Sequence, residues 1–188
     1  KLPRKCAFGV FVTMYHNNRV FSCMGDFADP VTAALSYPQE VTEEMVRKGA
    51  KSSCLDRRIK DVVPNKIELS FLKQPLFPVS LTGVVSFATP SVLLGCPSKG
   101  TISSRPYNND ELGLLMTAPR IRTYLPNVEG LPKDWAGLSG SLLAKNRRGD
   151  ADQEGGTFLA YDTQKRMAPL GFLQPYVLIL PHAGRAYA

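Results

Sequence analysis

Two short segments carry residue types whose spacing could support chemistry. The first is Trp135-Ala136-Gly137-Leu138-Ser139-Gly140-Ser141-Leu142-Leu143. A serine nucleophile needs a tight turn that presents its Oγ, with backbone N–H groups aimed at a developing oxyanion. Glycines on both sides of Ser139 let the chain bend and let a substrate carbonyl approach. The apolar run that follows reads as a strand starting over Ser141 to Ala144, which would anchor the turn. The same Gly-x-Ser-Gly tetrapeptide also makes ordinary surface turns. The second segment runs from Gly9 to His16, Gly-Val-Phe-Val-Thr-Met-Tyr-His. A histidine closing an apolar strand can be held rigidly with its ring toward a cleft, which suits a general base. The plain alternative is a turn histidine beside Asn17-Asn18.

Other chemistries fit less well. An α/β-hydrolase elbow wants Gly-x-Ser-x-Gly between a strand and a helix, but the fifth residue here is Ser141. Phosphate-binding loops want Gly-Lys-Ser/Thr, which is absent. The four cysteines, Cys6, Cys23, Cys54 and Cys96, contain no Cys-x-x-Cys, and His16 and His182 are the only histidines. No structural zinc, other metal or cofactor is therefore expected. Cys96 reads as a core or turn cysteine, and Arg148-Gly149-Asp150 as chance in a polar turn. His182 reads as exposed near the terminus, and Trp135 as core packing under the serine segment.

The elements that must position these residues are mostly strands. Phe8 to Tyr15 is rich in β-formers, Asn17-Asn18 marks a turn, and Arg19 to Cys23 reads as the returning strand. Val41 to Lys51 reads as a short helix with Thr42 as N-cap, Glu43 and Glu44 in its first turn, and Gly49 ending it. Further strands are expected at Ile67 to Leu72, Val79 to Phe87, Ser91 to Leu94, Leu112 to Thr117, Ile121 to Leu125, Thr157 to Tyr161 and Gly171 to Leu180. About ten short strands without a βαβ rhythm predict an all-β sandwich or barrel with one or two short helices.

Together the two segments resemble the chymotrypsin-like serine proteases. There the base histidine closes a Thr-x-x-His segment in the first barrel, and the nucleophile sits in Gly-x-Ser-Gly in the second. Thr13-Met14-Tyr15-His16 matches the first motif and Gly137 to Gly140 the second, in the family's chain order. The histidine segment is similar to that of viral polyprotein proteases of the flavivirus, hepacivirus and sobemovirus kind. The resemblance implies a double β-barrel, with residues 1–85 as the N-terminal lobe and 86–188 as the lobe carrying the nucleophile. It implies His16 as base and Ser139 as nucleophile, with the N–H groups of Gly137 and Ser139 as oxyanion hole. A carboxylate between them would orient the imidazole. Glu68, in Glu68-Leu69-Ser70-Phe71-Leu72, resembles the family's acid segment, although the family usually has Asp there; Asp61 is the rival. Two other alignments lay the histidine strand on Arg19 to Gly25 or on Val31 to Leu35, with glycine or leucine in place of histidine. Either leaves the fold without its base.

The expected function is a serine endopeptidase acting through an acyl-enzyme on a peptide or polyprotein, with an activating cofactor segment as a further partner. The alternative is a catalytically degenerate binding or scaffold module of the same fold. A coat-type β-sandwich that binds RNA is a third reading. The net charge is +7, from 23 basic and 16 acidic residues. Such a balance favours acidic partners, including weak nucleic-acid contact through a basic surface, but the basic residues are spread along the chain. Val79 to Gly95, the most apolar stretch, is too interrupted to span a bilayer, and the basic start lacks a signal peptide's apolar core. With no Asn-x-Ser/Thr sequon, the cysteines are expected reduced and the setting intracellular, the host cytoplasm for a viral protein.

Overall fold

A computed structural model of the chain describes residues 2–29, 38–55, 64–87, 96, 104–118, 121–147 and 156–173. These residues are mostly β, with ten strands in two antiparallel sheets and two short helices. In chain order they are β1 (Ala7–His16), β2 (Arg19–Phe27), α1 (Glu43–Cys54), β3 (Lys66–Lys73), β4 (Phe77–Val79), β5 (Val84–Ser86) and β6 (Ser104–Pro106). Then come β7 (Gly113–Met116), β8 (Arg122–Tyr124), α2 (Trp135–Arg147), β9 (Phe158–Tyr161) and β10 (Thr163–Ala168), followed by a 3-10 turn at Leu170–Leu173. The first sheet has the order β10-β3-β1-β2, the second β6-β5-β4-β9-β7-β8. Neither sheet closes into a barrel among the described residues.

The chain divides into two compact units. Unit 1 comprises Lys1–Ala28, Gln39–Leu72 and Gln164–Ala188; unit 2 comprises Asp29–Pro38 and Lys73–Thr163. The division thus falls after Leu72, and the chain returns to unit 1 at Gln164, where the sequence expects lobes of 1–85 and 86–188.

Unit 1 is built on the β1–β2 hairpin. Asn17 and Asn18 both take left-handed φ, 49° and 64°, the geometry of a two-residue turn whose twist matches the strands. Alternation on β1 sends Val10, Val12 and Met14 to one face, where they pack with Ile67, Leu69 and Phe71 of β3 and with Val46 and Ala50 of α1. Helix α1 starts as its sequence requires, with the Thr42 hydroxyl accepting from the Met45 N–H at 3.2 Å. It runs through Gly49 to Cys54, past the stop that the glycine suggests. A Cβ on Gly49 would lie 3.3 Å from Val12 Cγ2 and 3.4 Å from Gly25 Cα, so this glycine serves close helix–sheet packing. Ser53, fully buried, ties the helix to the hairpin: its hydroxyl donates to the Val12 carbonyl at 2.7 Å and accepts from the Met24 N–H at 3.2 Å.

Unit 2 packs α2 onto the six-stranded sheet. Leu138 and Leu142, one helical turn apart, are buried with Phe77, Val79, Val85, Leu114, Met116, Phe158 and Ala160. The stretch from Val79 to Phe87, expected as one strand, is two strands. Gly83 at φ +80° allows a turn between them, and the Ser80 hydroxyl accepts from the Val84 N–H at 3.0 Å to close it. The expected strand at Ser91 to Leu94 lies outside the described residues, as does most of the closing strand from Gly171; its first residues, Gly171 to Leu173, belong to the 3-10 turn.

Cys6 and Cys96 are disulfide-bonded, whereas Cys23 and Cys54 are free thiols. This corrects the expectation of four reduced cysteines; spacing in the sequence carries no information on the redox state of each thiol. No described helix is long and apolar enough to cross a membrane.

Candidate functional site

The serine segment is helical, which corrects the expected turn and following strand. Asp134 caps α2, its Oδ1 accepting from the Gly137 N–H at 2.7 Å and its carbonyl from the Leu138 N–H at 3.0 Å. The helix contains no β-branched residue, and Leu138 and Leu142 supply an apolar face. These features outweigh Gly137 and Gly140, which cost about 1 kcal/mol each in a helix interior. Ser139 lies one turn inside. Its hydroxyl donates to the Trp135 carbonyl at 2.7 Å, with the Ala136 carbonyl at 3.3 Å. This is the back-bonded state typical of a mid-helix serine. The Gly137 N–H, expected to face an oxyanion, is occupied by the Asp134 carboxylate.

His16 is exposed and ends β1, paired across the turn with Arg19. It is the turn-flanking histidine of the alternative sequence reading, and it belongs to unit 1, whereas Ser139 belongs to unit 2. Asp61 lies outside the described residues, as do Arg148-Gly149-Asp150 and His182.

Glu68 sits on β3 with its side chain 13% exposed. Lys165 Nζ of β10 stands 3.3 Å from its Oε1, and the Ser70 hydroxyl 3.4 Å. The Tyr15 phenol lies close enough to the same carboxylate to feel its charge. The described contacts thus give Glu68 a structural role across three strands of unit 1. Burial, then the Glu68 charge, pushes the Tyr15 hydroxyl up from 10 to about 12. Burial likewise pushes the Cys54 thiol up to about 11. The Thr13 hydroxyl donates to Cys23 Sγ at 3.2 Å on the neighbouring pair.

These shifts carry a sign. A phenol or thiol whose pKa is higher folded than unfolded stabilises the fold fully below its unfolded pKa, and that contribution fades as pH rises through the folded value. Unit 1 should therefore lose stability between about pH 10 and 12, and Tyr15→Phe should flatten that part of the profile. Urea titrations of both proteins across this range, with tyrosinate absorption as the second signal, check it. An unchanged profile in Tyr15→Phe would contradict the placement of Tyr15 beside Glu68.

Sequence reading misses the tertiary contacts of the serine segment. The Ser141 hydroxyl, two residues on from Ser139, meets the Tyr124 hydroxyl at 2.9 Å, and Lys145 Nζ lies 4.7 Å from the Tyr124 ring centre. The sequence signal for this group is the four-residue spacing of Ser141 and Lys145, which places both on one helix face. Trp135, expected in the core, is partly buried against it, with ring centres 5.3 Å from Phe158 and 5.6 Å from Tyr107. No group of three or more His, Cys, Asp or Glu that could hold a metal occurs among the described residues. No protein-family model, no curated protein and no solved structure matches the chain.

Proposed function

We propose that the chain is a non-catalytic binding module, a double β-barrel of the chymotrypsin-like kind kept as a scaffold without its chemistry. The observation that carries this reading is the hydrogen bonding of Ser139. A serine nucleophile must pass its proton to a base, whereas the Ser139 proton is directed at the Trp135 carbonyl of its own helix. The hairpin supports the same reading. With β2 as the second strand of the pair, the alignment of the histidine strand with Arg19 to Gly25 puts Gly25 at the base position. A Cβ there would meet the Val10 carbonyl oxygen at 2.5 Å, so no side chain fits on this backbone. The disulfide-bonded Cys6 and Cys96 favour an oxidising compartment over the host cytoplasm.

The serine endopeptidase reading, with a polyprotein substrate, keeps its support in the Thr-x-x-His and Gly-x-Ser-Gly segments and in the partial exposure of Ser139. It requires the first turn of α2 to open, releasing both the Ser139 hydroxyl and the Gly137 N–H. Turnover of casein and of a fluorogenic peptide library separates the two. The binding module shows no turnover above that of Ser139→Ala; wild-type turnover that Ser139→Ala abolishes would establish the protease.

A further inference from the structure

We propose that the turn end of the four-stranded sheet in unit 1 is a docking surface for single-stranded nucleic acid; this deepens, and rests on, the binding-module reading. His16, Asn17, Asn18 and Arg19 at the β1–β2 turn are all exposed, and so are Asn65 and Lys66 at the start of β3. The two segments are neighbours. The Asn65 N–H donates to the Tyr15 carbonyl at 2.9 Å, and Lys66 Nζ lies 4.8 Å from the centre of the half-buried Tyr15 ring. Neither segment holds a carboxylate; Glu68, two residues beyond Lys66, is paired with Lys165 at 3.3 Å.

A cation over a ring is not by itself a signal. Such pairs are common in folded chains, and further ones lie at Phe87 and Tyr124. The concentration of types at this one end carries the inference. Arg19 and Lys66 supply charge for phosphates, the exposed part of the half-buried Tyr15 ring supplies a stacking surface beside Lys66, and the exposed Asn17, Asn18 and Asn65 amides, the first and last in contact at 3.5 Å, supply their remaining donors and acceptors for base edges. The turn holding Asn17 and Asn18 has the left-handed backbone of a two-residue hairpin turn, closed by the His16–Arg19 pair. An acidic peptide would use the charge but neither the ring nor the amides.

The test is fluorescence anisotropy with labelled oligouridylate, titrated at several salt concentrations. The variants are Arg19→Ala/Lys66→Ala and the charge-matched control Arg47→Ala/Lys48→Ala on α1, whose cations pair with Glu44 and Asp26. All four sites are exposed, and circular dichroism verifies that each variant folds. The first variant should weaken binding by about tenfold or more and reduce the salt slope by about 1.4, the value for two contacts on a single strand, while the control stays within about threefold of wild type. Equal losses in both variants, no binding by wild type, or displacement of RNA by polyglutamate at equal charge would each overturn the proposal. If RNA does not bind and no serine is reactive, the docking surface fails alone. A Ser139-dependent activity would instead remove the reading on which it rests.

Discussion

Trp135→Ala should cost unit 2 about 2–3 kcal/mol, below the loss of a fully buried tryptophan because the ring is partly exposed. The indole opens α2, lies against Tyr107 and Phe158, and covers the β4–β5 turn so closely that a Cβ on Gly83 would stand 2.5 Å from its Cγ. Its Nε1–H donates to the Leu81 carbonyl at 2.9 Å. Leu81 is 85% exposed, so water can replace that donor, and most of the loss comes from packing. Trp135→Phe, which keeps part of the packing and loses the hydrogen bond, should cost distinctly less. Urea unfolding followed by circular dichroism measures both, since the substitution removes the chain's one tryptophan. Equal, small losses in the two variants would mean that the indole does not clamp the turn.

Gly113→Ala should cost about 3 kcal/mol, at or above the usual upper range for overpacking. Gly113 on β7 faces Tyr161 on β9 in register, and the tyrosine ring lies across the glycine. A Cβ at Gly113 would overlap the ring and stand 2.7 Å from its hydroxyl. The ring has no room to yield, because Tyr161 is fully buried. Its hydroxyl meets Thr123 Oγ1 at 2.5 Å and donates to the Tyr124 carbonyl at 3.1 Å. Because the two positions share one volume, their effects should not add. Gly113→Ala should cost much less in a Tyr161→Leu background, and a cost unchanged by that background would show that the ring is not the obstacle.

The hairpin was legible in the sequence because its signals are local: β-formers from Phe8 to Tyr15 and an Asn-Asn turn. Helix α1 was legible for the same reason, through Thr42, Glu43 and Glu44. The errors arise where a residue has two uses. Gly49 reads as a helix stop, but it lies where α1 approaches β1 and β2. In the serine segment, glycines and serines read as a turn, while Asp134 followed by Leu138 and Leu142 carries the opposing signal of a capped helix with an apolar face. These three residues of capping and spacing outweigh the composition of the middle. Contacts such as Tyr15 with Glu68, or Ser141 with Tyr124, depend on strand order and helix placement, which no local pattern encodes.

The candidate site divides along the same line. The sequence offers Ser139 and His16 by type and order, and their local structure then determines what each can do. The hydroxyl of Ser139 is used by its own helix, and His16 flanks a two-residue turn, exposed with Asn17, Asn18 and Arg19. Glu68 is a strand-bridging carboxylate through Tyr15 and Lys165. These placements turn attention from acyl transfer to the basic, amide-rich end of unit 1.

The measurement that bears most directly on the central claim is labelling of the folded wild-type chain with a fluorophosphonate probe, beside Ser139→Ala and His16→Ala. A hydroxyl held by its helix is a weak nucleophile, so labelling should not exceed that of Ser139→Ala. Wild-type labelling abolished by both substitutions would contradict the binding-module account and establish an activated serine.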